Sequence, residues 1–170
     1  NDDITYNIQI ANNDQFLAEL GEIVHVRTVQ SNNTTFAIDG TGGDLLVVRV
    51  AARSTPASNG HVTGITYNGV ALTKASSKDN SGETDRMNVE IWYLVNPSSG
   101  SNLVVISYTS TTQTVVHGAS IYSGIDTSNP LDATGPGAAG TSTTASSGLT
   151  TTVNNAMVMD SVMADSGSAV

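Results

Sequence analysis

"VTGITYNGVALTKASS", residues Val62–Ser77, decides the fold. Two alternating runs flank Asn68-Gly69, and a two-residue link of that composition is a strong signal for a tight hairpin. A type I′ turn needs positive φ at both central residues, which Asn and Gly adopt at least cost. The stretch therefore predicts one strand ending at Thr66-Tyr67 and another starting at Val70-Ala71, with Leu72 and Lys74 carrying the alternation onward. Short strands joined in this way build antiparallel all-β domains.

The same period of two recurs outward in both directions. "ITYNIQI" (Ile4 to Ile10) sets Ile4, Tyr6, Ile8 and Ile10 on one face, the pattern of a half-buried strand. "NDQFLAELG", with Asp14 as an N-cap and Gly21 as a stop, accommodates one short helical turn. "EIVHVRTVQ" and "TTFAID" read as strands around the polar turn Ser31-Asn32-Asn33. "DLLVVRVAA" is apolar on both faces apart from Arg49 and predicts a central strand buried on both sides. "MNVEIWYLV" divides into Met87, Val89, Ile91, Tyr93 and Val95 against Asn88, Glu90, Trp92 and Leu94. "LVVISYT" and "TVVHGASIYSG" follow, then a Gly- and Pro-rich loop, and "SGLTTTV" and "NAMVMDSVMA" close the chain. About ten strands at regular spacing predict an antiparallel β-sandwich of jelly-roll type. The tract "GAAGTSTTASSGLTTT" reads as a surface loop or edge and a candidate O-glycosylated segment.

Composition narrows the function. The chain has 170 residues, enough for one domain with a real core. Charged residues make up 12% of it, about half the usual share. The net charge of −9, with two lysines and four arginines spread along the sequence, argues against nucleic acid, whose phosphates need clustered cations. Anionic membrane surfaces are disfavoured for the same reason. There is no cysteine and no apolar run long enough to span a bilayer. The chain opens on Asn1 without a signal peptide, which reads as a mature or trimmed form. An extracellular or virion-surface location suits this composition.

From "DLLVVRVAARS" through "ITYNGVALTK", "WYLVNPSSG" and "GASIYSGIDTSNPL" to "NAMVMDSVMA", the chain resembles a recurring jelly-roll-like β-sandwich module of bacterial and phage-like extracellular surface and fibre proteins. The likeness covers roughly Asp44 to Ala164 and lies in turns and core strands. It implies fold and location, and it brings no catalytic residue. It divides the chain into an N-terminal extension, 1–43, with a candidate donor strand at 4–10, and a module at 44–170, within one structural domain overall.

Several chemistries compete. Strand Ile4–Ile10 can add to a neighbouring copy's open sheet edge, with Ile4, Tyr6, Ile8 and Ile10 as the plug, or fold back into its own sheet. The first outcome makes a structural subunit of a filament or pilus-like fibre, a homopolymer. Asn32 and Asn33 are overlapping glycan acceptors. Asp39 with Asp44, and Asp79 with Asp85, offer oxygen ligands around glycine turns to Ca²⁺, or simply keep loops hydrated. Trp92 beside Glu90 offers a sugar-stacking site, hence the alternative of a carbohydrate-binding or adhesive module of a larger secreted or phage tail protein; a lone Trp more often packs inside. No catalytic group is expected. "GASIY" lacks the second Gly of a nucleophile elbow. His25, His61 and His117 are scattered, and Glu83 with Glu90 fixes no carboxylate separation. A Lys–Asn or Lys–Asp isopeptide link would need Lys74 or Lys78 buried beside an acid, and it is not the expected outcome.

Overall fold

The computed structural model describes residues 22–54, 61–80, 86–109, 114–137 and 147–163. Nine strands run through them: β1 (Val24–Ser31), β2 (Thr35–Asp39), β3 (Leu45–Ser54), β4 (Val62–Tyr67), β5 (Val70–Ala71), β6 (Thr73–Asp79), β7 (Arg86–Val95), β8 (Ser101–Tyr108) and β9 (Thr114–Ser123). They form two antiparallel sheets, ordered β1-β9-β3-β7-β6 and β2-β8-β4-β5. Because β1 pairs with β9 while β2 pairs with β8, the two ends of the strand series run together and roll around the middle. That is a jelly roll, with β6 added beside β7.

The hairpin forms as its residues dictate. Asn68 and Gly69 take φ of 49° and 78°, and Thr66 and Tyr67 pair with Ala71 and Val70. The second strand does not carry on in the same sheet. At Leu72, which is buried and donates its N–H to the Ile65 carbonyl at 2.8 Å, the chain crosses to the five-stranded sheet and becomes β6.

The core lies between the sheets. Leu46, Val48, Val50 and Ala52 of β3 point inward against Phe36, Ile38, Ile65, Val104 and Ile106 of the four-stranded sheet. The opposite face of β3 is also covered: Leu45 and Val47 pack with Tyr122, Tyr93, Ile91 and Met159. The central strand is thus buried on both sides, as its continuous apolar run requires. At one end of the core, Tyr67 is fully buried and its phenol lies 3.0–3.2 Å from the carbonyls of Ile38, Ser98 and Gly100. Gly40 passes so close that a Cβ there would lie 2.3 Å from the Ser98 carbonyl oxygen.

Three expectations meet the structure differently. Residues 147–163 carry no strand. This segment lies against a face and not along an edge: it sends Met159 onto the outer face of the five-stranded sheet, while the Thr152 N–H is held by Asp132 at 2.6 Å. The segment set apart as an extension, 1–43, supplies both β1 and β2 to the sandwich, because "TTFAID" buries Phe36 and Ile38. The helical turn at Asp14–Gly21 and the strand at Ile4–Ile10 lie outside the described residues.

Candidate functional site

The register of β7 decides which of its faces is inside. Trp92, Glu90 and Asn88 stand opposite Val48, Val50 and Ala52 of β3, so the polar set is the core-facing one. Glu90 is 1% exposed and Asn88 6%. A buried carboxylate is tolerated only when its oxygens are well supplied with donors, and Glu90 has four. Oε1 accepts from Asn88 Nδ2 at 2.7 Å and from the Val62 N–H at 3.3 Å. Oε2 accepts from the Trp92 indole at 2.9 Å and meets Lys74 Nζ at 2.7 Å. Lys74 reaches it from the adjacent strand, where it pairs with Trp92, and its ammonium sits 4.9 Å from the centre of the indole ring, a cation–π distance.

Lys74, Asn88 and Glu90 line a polar cavity of about 270 Å³ with His61, Lys78 and Asp79. The Asn88 carboxamide also donates to His61 Nδ1 at 3.3 Å, and His61 Nε2 is 3.9 Å from Asp79. A second buried polar pair lies further along the same inner layer. His117, opposite Val50 on the other flank of β3, is fully buried and within 2.6 Å of the Tyr108 hydroxyl. Burial pushes the His117 imidazole below its ordinary range, and burial together with the Glu90 charge pushes the Tyr108 phenol up. A neutral imidazole and a protonated phenol therefore share one hydrogen bond between Nε2 and the hydroxyl.

The residues singled out in the sequence separate. Trp92 is 8% exposed, its N–H on Glu90 and its ring beneath Lys74, which leaves no broad face for a pyranose. Asn32 and Asn33 are exposed in the β1–β2 turn. Asp39 is taken up by Arg27, 2.6 Å away, and by Thr41, whose hydroxyl and N–H draw its carboxyl down to about 2. Asp44 accepts the Gly124 N–H at 2.7 Å. Asp79 faces the cavity, and Asp85 lies outside the described residues. No group of three or more His, Cys, Asp or Glu side chains that could hold a metal occurs among the described residues, so Asp39, Asp44 and Asp79 are not gathered into a Ca²⁺ site. Ser120 sits within β9, buried, hydrogen-bonded to Thr28 at 2.8 Å and to Arg49 at 3.3 Å. Ile4, Tyr6, Ile8, Ile10 and Glu83 lie outside the described residues.

Sequence reading did not bring Lys74, Asn88 and Glu90 together. "MNVEIWYLV" carries no signal for it, since alternation separates two faces and the covering of the sheet's outer side decides which of them turns inward. Comparison of the chain with protein-family models, with curated proteins and with solved structures finds no significant match. No helix among the described residues is long and apolar enough to cross a membrane.

Proposed function

We propose that the protein is an extracellular structural subunit of a filament, pilus-like fibre or surface appendage, and that neighbouring copies join by adding a strand of one to an open sheet edge of the next. The observation that supports this reading is the edge of the four-stranded sheet. Among the described residues its terminal strand β5 has two residues and pairs with Thr66 and Tyr67 of the six-residue β4. Its outer face exposes Leu103 (53%) and Val105 (38%). Unpaired strand edges recruit strands, and exposed apolar side chains grouped on one face mark contact surfaces. "ITYNIQI" is the donor by its sequence pattern, since alternate apolar residues can enter a neighbour's groove while the backbone completes the ladder. Donation from one end of a molecule to another copy is a heterologous contact, which propagates as an open fibre.

The carbohydrate-binding alternative rested on Trp92, whose ring is committed inside the sandwich. Electron microscopy of the purified chain and of a variant lacking residues 1–11 tests the proposal. Polymers from the full chain and a folded, soluble monomer from the deletion support strand donation. Unchanged polymers from the deletion remove the donor role, and a full chain that stays discrete and is retained on a glycan array favours the adhesive reading.

A further inference from the structure

We infer that Lys74 and Asn88 become joined by an isopeptide bond, with Glu90 carrying the proton, so that β6 and β7 are cross-linked covalently. The inference is independent of how copies associate. It rests on two side chains placed against one buried carboxylate: Lys74 Nζ 2.7 Å from Oε2, and Asn88 Nδ2 2.7 Å from Oε1.

An amine and a carboxamide do not ordinarily condense. The amine is protonated, and the amide nitrogen leaves only if it gains a proton. A single carboxylate placed between them meets both needs. Oε2 takes a proton from Lys74 Nζ, and the freed lone pair attacks Asn88 Cγ while the carbonyl π electrons move onto oxygen. Collapse of that tetrahedral centre expels Nδ2, which receives one proton from the Glu90 carboxyl and a second from the newly bonded, cationic Nζ, and so leaves as ammonium. One Nζ–Cγ bond is made and one Cγ–Nδ2 bond is broken. The lysine's positive charge departs as ammonium, and Glu90 ends as it began. No oxidant and no second reactant is required.

The surroundings favour the step. The Trp92 indole and the Val62 N–H fix the carboxylate at 2.9 and 3.3 Å, and Lys74, opposite Trp92, and Asn88, opposite Asp79, are carried by paired strands and meet at its two oxygens. Such tethering replaces a bimolecular encounter with an intramolecular one. His61 Nδ1, 3.3 Å from the Asn88 nitrogen, orients the carboxamide together with Glu90. Asn88 and Glu90 are shielded from water, whereas Lys74 is 37% exposed at the cavity mouth, which gives ammonia a way out.

Intact-mass measurement of the purified chain, followed by tandem mass spectrometry of a digest, tests the inference. The expected result is a mass lower than the polypeptide's by one ammonia, and a branched peptide linking Lys74 to Asn88. Lys74→Arg, which keeps the cation but lacks the nucleophile, and Glu90→Gln, which keeps the shape but lacks the carrier, should both show the full mass; Lys78→Arg should retain the deficit. If Glu90→Gln does not fold, the two lysine variants still decide the matter. An unmodified chain at its full polypeptide mass after prolonged incubation, or a deficit that survives Lys74→Arg, overturns it.

Discussion

The Glu90 carboxylate, on the inner face of the five-stranded sheet, accepts the backbone N–H of Val62, on the opposite sheet, at 3.3 Å. One side chain thus joins the two layers of the sandwich through a polar contact, beside a mainly apolar core. Removing it strands several donors at once. A lone buried donor costs about 1–3 kcal/mol, and breaking a buried charge pair costs about 3–5 kcal/mol. Glu90→Ala should therefore lower the unfolding free energy by about 3–5 kcal/mol in urea titration. Glu90→Gln keeps an acceptor and should lose less. Near-parental stability of Glu90→Ala would mean that water reaches these donors.

His117 sets the acid side of the stability profile. Its folded pKa is lowered from 6.5 by burial, so in the acid range the unfolded chain binds a proton that the folded one does not. Stability from this group is complete above about pH 6.5. It is lost progressively as pH falls below that value toward the folded pKa. Thermal midpoints measured downward from about pH 8 should decline through this window, and His117→Gln should flatten the decline.

Tyr67 closes the opposite end of the core. Its single hydroxyl hydrogen is shared among the carbonyls of Ile38, Ser98 and Gly100, and Asn102 Nδ2 donates to the same oxygen at 3.3 Å. Tyr67→Phe keeps the ring packing and removes only this linkage, so a loss of about 1–2 kcal/mol is expected in denaturant unfolding.

How far the sequence revealed this molecule depends on which interaction fixed each part. The hairpin was legible because Asn68 and Gly69 carry a local backbone requirement, met at φ of 49° and 78°. The doubly buried β3 was legible because nine neighbouring residues are almost all apolar. The crossing at Leu72 was not, since an alternating pattern reads the same in either sheet. The inward turn of Asn88, Glu90 and Trp92 was hidden for a related reason. Period two separates two faces but does not say which is inside, and here Met159 and Tyr122 cover the face that would otherwise be wet. The absence of strands over 147–163 goes with the packing of Met159 on the outer face of the five-stranded sheet, a tertiary contact that no stretch of "NAMVMDSVMA" encodes.

The turn offers a paired comparison. Gly69 has open space around it but a φ of +78°, while Gly64 has equal space and no such backbone demand. Left-handed backbone costs a residue with a Cβ about 1–2 kcal/mol. Gly69→Ala should be destabilising by about that amount, whereas Gly64→Ala should be neutral or stabilising by up to about 1 kcal/mol through the unfolded chain. Equal effects in the two variants would mean that backbone strain is not what selects Gly69.

The association reading makes its own demand on β8. Val104 and Ile106 point into the core, so Leu103 and Val105 point away from it, and their cross-strand neighbours are Ala37, Thr35 and Thr66. No charge lies in that row. A surface substitution remote from the core usually changes stability by no more than about 0.5 kcal/mol, so Leu103→Lys with Val105→Lys should leave the monomer folded by circular dichroism. If this face packs against a second copy, each lysine would have to be desolvated in the contact, and burying an unpaired charge costs several kcal/mol. Sedimentation and electron microscopy of the double variant should then show shortened polymers or none. Polymers of undiminished length from a folded double variant would place the contact on another face.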